Sequence, residues 1–488
     1  MSTHPDAQAV IDAAPRQLYI GGQWRDATGG ATLEVEDPAT GEALCSVADA
    51  TAEDAMAALD AAVAAQAGWA ATSPNERSEI LYRAFTTMQE RSGELALLMT
   101  LEMGKALSES KGEIAYAAEF FRWFSGEALR IDGYFKTAGN GASRVLVMRQ
   151  PIGPCFFITP WNFPNAMGTR KIGPAIAAGC TMVVKPAQQT PLSMLALAKL
   201  LEDCGLPPGV LNVVTASSSG EVSAPLISDP RLRKLSFTGS TPVGQKLIAQ
   251  AADQVLKVSM ELGGNAPFVI FEDADLDAAV DQAMVAKMRN MGEACTSANR
   301  FHVHESVAEE FGKRLAERMS SLTLGHGAED GTDIGPLIDT AQRDKVAELV
   351  DDAVSKGATC VTGGKKRDGA GYFYEPTVLT GVPTNARLLK EEIFGPVAPI
   401  APFSTEEEAV EAANDTEFGL VSYVFTRDLA RAFRVCEALE TGMIGLNQGL
   451  VSNAGAPFGG VKQSGLGREG GNEGIMEYLE TKYVAVKL

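Results

Sequence analysis

The sequence predicts an α/β protein with mostly parallel sheets, and three observations predict it. From about residue 150 to 270, short β-rich runs alternate with amphipathic helical patterns. A second α/β region follows, reaching about residue 465. The 488-residue length suits two or three domains. Hydrophobic residues at 45% and charged residues at 21% are those of an ordinary globular chain able to bury a large core.

The elements follow in order. The first fifteen or so residues read as a loose tail. "LYIGGQW" and "TLEVEDPATGEALCSV" are short strands turning at Gly21-Gly22 and at Pro38. Thr51 with Asp54 resembles a capping box for the Ala-rich helix after it, and helical patterns continue to about residue 128. "LRIDGYFKTAGNGASRVLVMRQP" breaks that rhythm and reads as a hairpin around Gly139-Asn140-Gly141, an arm with little core of its own. "PCFFITP", "TMVVKP", "VLNVVT", "KLSFTGS" and "APFVIF" are then strands, separated by helices such as "SMLALAKLLEDCG" and "PVGQKLIAQAADQ". That order implies βαβ units with covered sheet faces.

Composition excludes several functions. A net charge of -20 argues against nucleic acid, which wants a basic face. No apolar run approaches the ~18 residues of a membrane span, and the N-terminus lacks the basic start and apolar core of a signal peptide. The seven cysteines are scattered without a C-x-x-C pair. Neither a disulfide framework nor a metal site is expected, and a reducing cytoplasm suits the chain.

Cys295 lies in "MRNMGEACTSANR", a small, polar, glycine-marked stretch unlike the setting of a structural cysteine. A nucleophilic cysteine needs a lowered pKa, and Gly292 allows a turn that could feed a helix N-terminus. Its base could be a histidine, as in a thiol hydrolase. His302 and His304 are the nearest, in "RFHVHE", an alternating strand that leaves the site. It could equally be a carboxylate. Glu261 precedes Gly263-Gly264 at the end of a β-rich run, where open sheets place ligands.

The motifs "SMELGGNAPFVIF", "GEACTSANR", "ITPWNFP", "SFTGSTPVG", "EEIFGPV" and "PFGGVKQSGLGREGG" together resemble the aldehyde dehydrogenase superfamily, in order, from about residue 16 to the C-terminus. The resemblance implies a Rossmann-type cofactor domain over 16–128 and 150–260, a catalytic α/β domain over 261–465, and a β oligomerisation arm and tail over 129–149 and 466–488. It implies Cys295 as nucleophile, Glu261 as general base, and the Asn162 amide with the Cys295 N–H as oxyanion donors. It also places Gly239, Ser240 and Leu262 at the cofactor, Ile158, Thr159, Pro160 and Trp161 on the nicotinamide side, and Lys185 and Gln188 at the adenosine ribose. Glu392 and Phe394 fall at the nicotinamide ribose.

Members favouring NAD often carry glutamate where this chain has Gln188. The expected cofactor is therefore NADP, with NAD as the alternative. Where the family commonly has glutamine two residues before the cysteine, this chain has Glu293, expected to be a solvent-facing acid. Within the family the motifs look closest to enzymes acting on succinate semialdehyde. Arg170, Arg289 and Ser452 fall on positions that hold the substrate's distal carboxylate, a task suited to arginine's planar fork. Glutarate semialdehyde or another aliphatic aldehyde is the alternative substrate, and a homodimer or homotetramer is the implied assembly.

Overall fold

In the computed structural model, which describes residues 4–487, the strand–helix alternation closes into two open sheets. The first has eight strands, ordered Gln23–Arg25, Leu18–Ile20, Leu211–Val213, Met182–Lys185, Cys155–Ile158, Lys234–Thr238, Lys257–Glu261 and Gly465–Leu466. The five from Leu211–Val213 to Lys257–Glu261 are parallel, and the outer ones are antiparallel. In chain order those five run 3-2-1-4-5, the Rossmann arrangement, so the order reverses between Cys155–Ile158 and Lys234–Thr238. The crevice outside their C-terminal ends is where such sheets bind ligands.

The second sheet has seven strands, ordered Thr359–Thr362, Thr377–Thr380, Val397–Phe403, Ala298–His304, Ala266–Ile270, Val421–Phe425 and Met443–Leu446. All neighbours are parallel except the first pair. Glu261 ends a strand of the first sheet, and Ala266 begins a strand of the second. Residues 262–265 are therefore a bridge between sheets, with the first sheet's C-terminal edge facing the second's N-terminal edge. Ser464 clamps it: its carbonyl accepts the Leu262 N–H at 3.0 Å, and its hydroxyl donates to the Gly263 carbonyl at 2.7 Å.

The hairpin arm forms as the alternation predicts. Tyr134–Thr137 and Arg144–Pro151 pair antiparallel, and Leu479–Val486 adds a third strand. The outer strand Tyr134–Thr137 is exposed throughout. The capping box is also present: Asp54 accepts the Thr51 N–H at 2.9 Å while its own N–H donates to the Thr51 hydroxyl at 3.3 Å. The N-terminal expectation needs correction. Ala7–Ala13 is a helix rather than loose tail, and Ala7 and Ile11 pack against Leu97, Leu101 and Ala328. A two-residue apolar stripe was too short to register as a period. Residues 1–3 of the expected tail and Leu488 of the C-terminal segment lie outside the described residues.

Candidate active site

Cys295 sits in a turn, Ala294–Ser297, closed by the Ser297 N–H donating to the Ala294 carbonyl at 2.9 Å. The helix N-terminus expected to activate it is absent, because the chain runs directly into the strand Ala298–His304. That strand carries His302 away from the cysteine, to a separate cavity. Before the turn, Asn290, Met291 and Gly292 are consecutively left-handed, with φ of 52°, 56° and 77°. Such a run is costly for residues other than glycine, and its partners hold it. The Asn290 N–H donates to Glu109 at 3.0 Å, and its side-chain amide reaches the carbonyls of Asn162 and Glu293 at 3.0 and 2.9 Å. Gly292 admits no side chain, since a Cβ would lie 2.2 Å from the Gly395 carbonyl oxygen.

A cavity of about 230 Å3 joins the residues the motifs singled out. Cys295, Glu261, Asn162, Pro160, Trp161, Gly239, Ser240, Leu262, Glu392 and Phe394 all line it. Gly264 lets its two halves meet, since a Cβ there would sit 2.4 Å from the Cys295 carbonyl oxygen. Asn162 is fixed from several sides. Its side-chain amide donates to the Glu293 carbonyl at 2.9 Å, which leaves its second N–H available. Its own carbonyl accepts from Lys105 at 2.7 Å. The Cys295 N–H has no protein acceptor among the described residues.

Burial disfavours charge on the acidic groups of the chamber. Burial pushes the Cys295 thiol up to about 12; Arg170 and Arg289 pull it down, while Glu261 and Glu392 push it up. Burial, then the charge of Glu469, holds the Glu261 carboxyl well above the usual carboxylate range, against Arg170, Lys171 and Arg468. Its Oε2 is buried without a partner. The expectation for Glu293 also needs correction. It is fully buried, not solvent-facing, with one oxygen accepting the Ile338 N–H at 3.1 Å. Burial raises its pKa well above the ordinary range, which favours the uncharged acid beside Cys295.

The cofactor side has the features a dinucleotide needs. Ser240 precedes the twelve-residue helix Thr241–Ala252, and its side chain makes no cap, so the first-turn N–H groups remain open to a phosphate. The Thr159 and Thr238 hydroxyls are buried without partners. Glu392 accepts the Gly264 N–H at 3.1 Å, and burial raises its carboxyl to about 7. Phe394 takes a positive φ of 54° and meets Trp161 edge-on at 5.4 Å. Ile158 is half-buried just before this group. Lys185 is buried, with its ammonium on the Pro186 carbonyl at 2.9 Å and its pKa lowered by burial to about 8. Gln188 is exposed and lines a separate cleft with Ser217. The residues present fit a nicotinamide dinucleotide.

The predicted carboxylate-binding residues separate into two settings. Arg289 and Ser452 line a second cavity, of about 610 Å3, with 3.3 Å between the guanidinium and the hydroxyl. Phe163 lines both cavities and lies 4.8 Å below the Arg289 guanidinium. Arg170 is fully buried. It pairs with Glu469 at 2.9 Å and stacks on Phe458 at 3.8 Å, while its Nη2 has no acceptor.

The sequence pattern of the aldehyde dehydrogenase family matches residues 24–484. The chain belongs to the aldehyde dehydrogenase family. A succinate-semialdehyde dehydrogenase of Paenarthrobacter nicotinovorans is 58% identical, over 91% of this chain and 98% of that protein. A glutarate-semialdehyde dehydrogenase of Pseudomonas aeruginosa is 53% identical, over 96% and 97%. A crystal structure described as an Escherichia coli NADP-dependent enzyme superposes with a TM-score of 0.96 at 51% identity, covering 98% of this chain and 99% of that one. Glu261 lines the cavity of Cys295, whereas His302 lines another.

Four supports of this family site escaped sequence reasoning. The buried Lys105–Glu113 pair, at 2.6 Å, carries the loop that follows Asn162, with Glu113 accepting the N–H groups of Asn165 and Ala166. Gln342 and Lys345 bond the carbonyls of Phe394 and Glu392, both at 2.7 Å. Glu113, Gln342 and Lys345 are single polar residues on helices and Lys105 lies in the short linker after Met103, all places that read as solvent-facing.

Proposed function

We propose that this chain oxidises succinate semialdehyde to succinate with NADP, or NAD, through Cys295. The observation that carries the substrate is Arg289, held toward Ser452 in a cavity that shares Phe163 with the cysteine chamber. The relatives named for succinate and glutarate semialdehydes agree with an aldehyde bearing a distal carboxylate. NADP fits Gln188, because the side chain at this position carries no charge to oppose a 2'-phosphate; the NADP-dependent structural relative agrees.

The residues act in sequence. Glu261, once ionised, takes the thiol proton and releases it to solvent, and the Cys295 thiolate attacks the aldehyde carbon. The spare Asn162 N–H and the Cys295 N–H receive the oxyanion of the thiohemiacetal. A bound nicotinamide supplies the hydride acceptor. Glu261 then takes a proton from water, which attacks the thioester carbon, releases the acid and restores the thiol. Ser240 and the helix behind it hold the pyrophosphate, Lys185 reaches the adenosine ribose, and Glu392 with Phe394 holds the nicotinamide ribose. Arg170 supports the chamber beside Glu469 while Arg289 and Ser452 take the distal carboxylate.

The domains divide at 16–128 with 150–260 for the cofactor, 261–465 for catalysis, and 129–149 with 466–488 for assembly. The exposed strand Tyr134–Thr137, an unpaired edge bearing Tyr134 and Phe135, supports a homodimer or homotetramer. Among the described residues, no helix is long and apolar enough to cross a membrane. The seven unpaired cysteines support a reducing cytoplasm.

Steady-state kinetics with succinate semialdehyde, glutarate semialdehyde and butanal, each with NADP and NAD, test the reading. The expected result is the highest kcat/KM for succinate semialdehyde with NADP. Equal or better turnover of butanal contradicts the substrate, and a preference for NAD contradicts the cofactor.

A further inference from the structure

The wall of the 610 Å3 cavity holds a polar group that this reading leaves unused. Tyr116 stands on the helix Leu107–Glu127, one turn beyond Glu113, and lines the cavity beside Arg289 and Ser452. Its ring is well packed. Phe120 meets it edge-on at 5.0 Å, and the Arg289 guanidinium lies 5.7 Å from its centroid. Its hydroxyl, however, is buried and has no hydrogen-bond partner among the described residues. Buried hydroxyls are almost always satisfied, and phenylalanine would fill the same space without the cost. The hydroxyl therefore makes sense through a molecule that enters the cavity.

The neighbouring groups define the chemistry of that molecule. Among the described residues the Arg289 side chain has only Ser452 as a hydrogen-bond partner. The acids nearby already accept hydrogen bonds: Glu109 from the Asn290 N–H, Asp333 from the Thr323 N–H, and Glu113 from Lys105. Unsatisfied donors thus converge here, and they call for an anion with several acceptor sites. A carboxylate offers about four, enough for a guanidinium fork and a phenol together.

We propose that the Tyr116 hydroxyl donates a hydrogen bond to the distal carboxylate of the substrate, making Tyr116 a specificity-determining residue. The inference rests on the semialdehyde reading above.

The test compares kcat/KM for succinate semialdehyde and for butanal in the wild type, Tyr116→Phe and Arg289→Ala. Phenylalanine keeps the ring against Phe120 and Arg289 and removes only the donor. The expected result is that Tyr116→Phe lowers the ratio of the two values roughly tenfold or more, mostly through KM for the acid-aldehyde. An unchanged ratio, including matched losses on both aldehydes, overturns the proposal and leaves Tyr116 a packing residue. Arg289→Ala then shows where the failure lies. If it lowers the ratio while Tyr116→Phe does not, the semialdehyde reading stands and Tyr116 alone is wrong. If neither lowers it, both fall.

Discussion

Cys295 and Arg289 stand six residues apart in the chain and in two different environments. Cys295 lies in a small chamber of about 230 Å3, against backbone that admits no side chain at Gly264 or Gly292. Its titratable groups face one another, and its neighbours are anchored by buried hydrogen bonds. Arg289 looks into a cavity of about 610 Å3, against Phe163 and Tyr116, with one hydroxyl for a partner. The contrast teaches a division of labour. The groups proposed to make and break bonds are pre-set by the fold, while the group proposed to recognise the distal carboxylate is left under-satisfied until substrate arrives. Changes in the chamber should thus affect every aldehyde, and changes in the cavity should discriminate among them.

The largest expected effect is in the chamber. Glu261→Gln removes the base for thioester hydrolysis. Because Glu261 also takes the Cys295 thiol proton, rapid mixing should show both the first turnover and the steady state strongly slowed, for succinate semialdehyde and butanal alike. Normal steady-state turnover would remove Glu261 from its role.

Arg170→Ala sharpens the comparison between the two arginines. It leaves the buried Glu469 carboxylate with Lys171 as its remaining ion-pair partner. Breaking such a pair costs about 3–5 kcal/mol. Thermal unfolding should shift strongly downward, with losses on both aldehydes, because Arg170 also bears on Cys295 and Glu261. Unaltered stability with a loss confined to the acid-aldehyde would place Arg170 beside Arg289 as a substrate ligand.

A smaller effect belongs to Lys287, two residues before Arg289. It is fully buried, donates to Asn299 at 3.2 Å, and burial lowers its pKa to about 7 from 10.5. Between those values the unfolded chain binds more protons at this site than the folded one, so stability rises with pH across the window. Below about pH 7 that contribution is gone. Lys287→Met should flatten the dependence by on the order of 3 kcal/mol between pH 7 and 10, seen by denaturant unfolding. A slope equal to that of the wild type would mean that Lys287 is charged in the fold.

Much of this arrangement was legible in the sequence. The alternating runs announced the parallel sheets, and the short motifs converged on one chamber, because ten of the residues they named line it. Burial of polar groups was not legible. Glu293 read as a surface acid because a carboxylate seldom lies fully buried, and only the Ile338 N–H, forty-five residues away, shows why it can. Lys105, Glu113 and Tyr116 read as parts of an ordinary amphipathic region, since their partners come from distant segments. The expected helix after Cys295 failed for a related reason. Gly292 does mark a turn, but what it answers is the close approach of Gly395 rather than a helix start.

The most direct test of the division between chamber and cavity is kcat/KM for succinate semialdehyde and butanal in Arg289→Ala. A charged hydrogen bond of this kind contributes about 1.5–3 kcal/mol, or roughly 10- to 150-fold in kcat/KM. The account predicts a loss of that size for succinate semialdehyde, carried mainly by KM, and a far smaller change for butanal, which has no carboxylate to hold. Equal losses on the two aldehydes would contradict it and assign Arg289 to the support of the Cys295 turn.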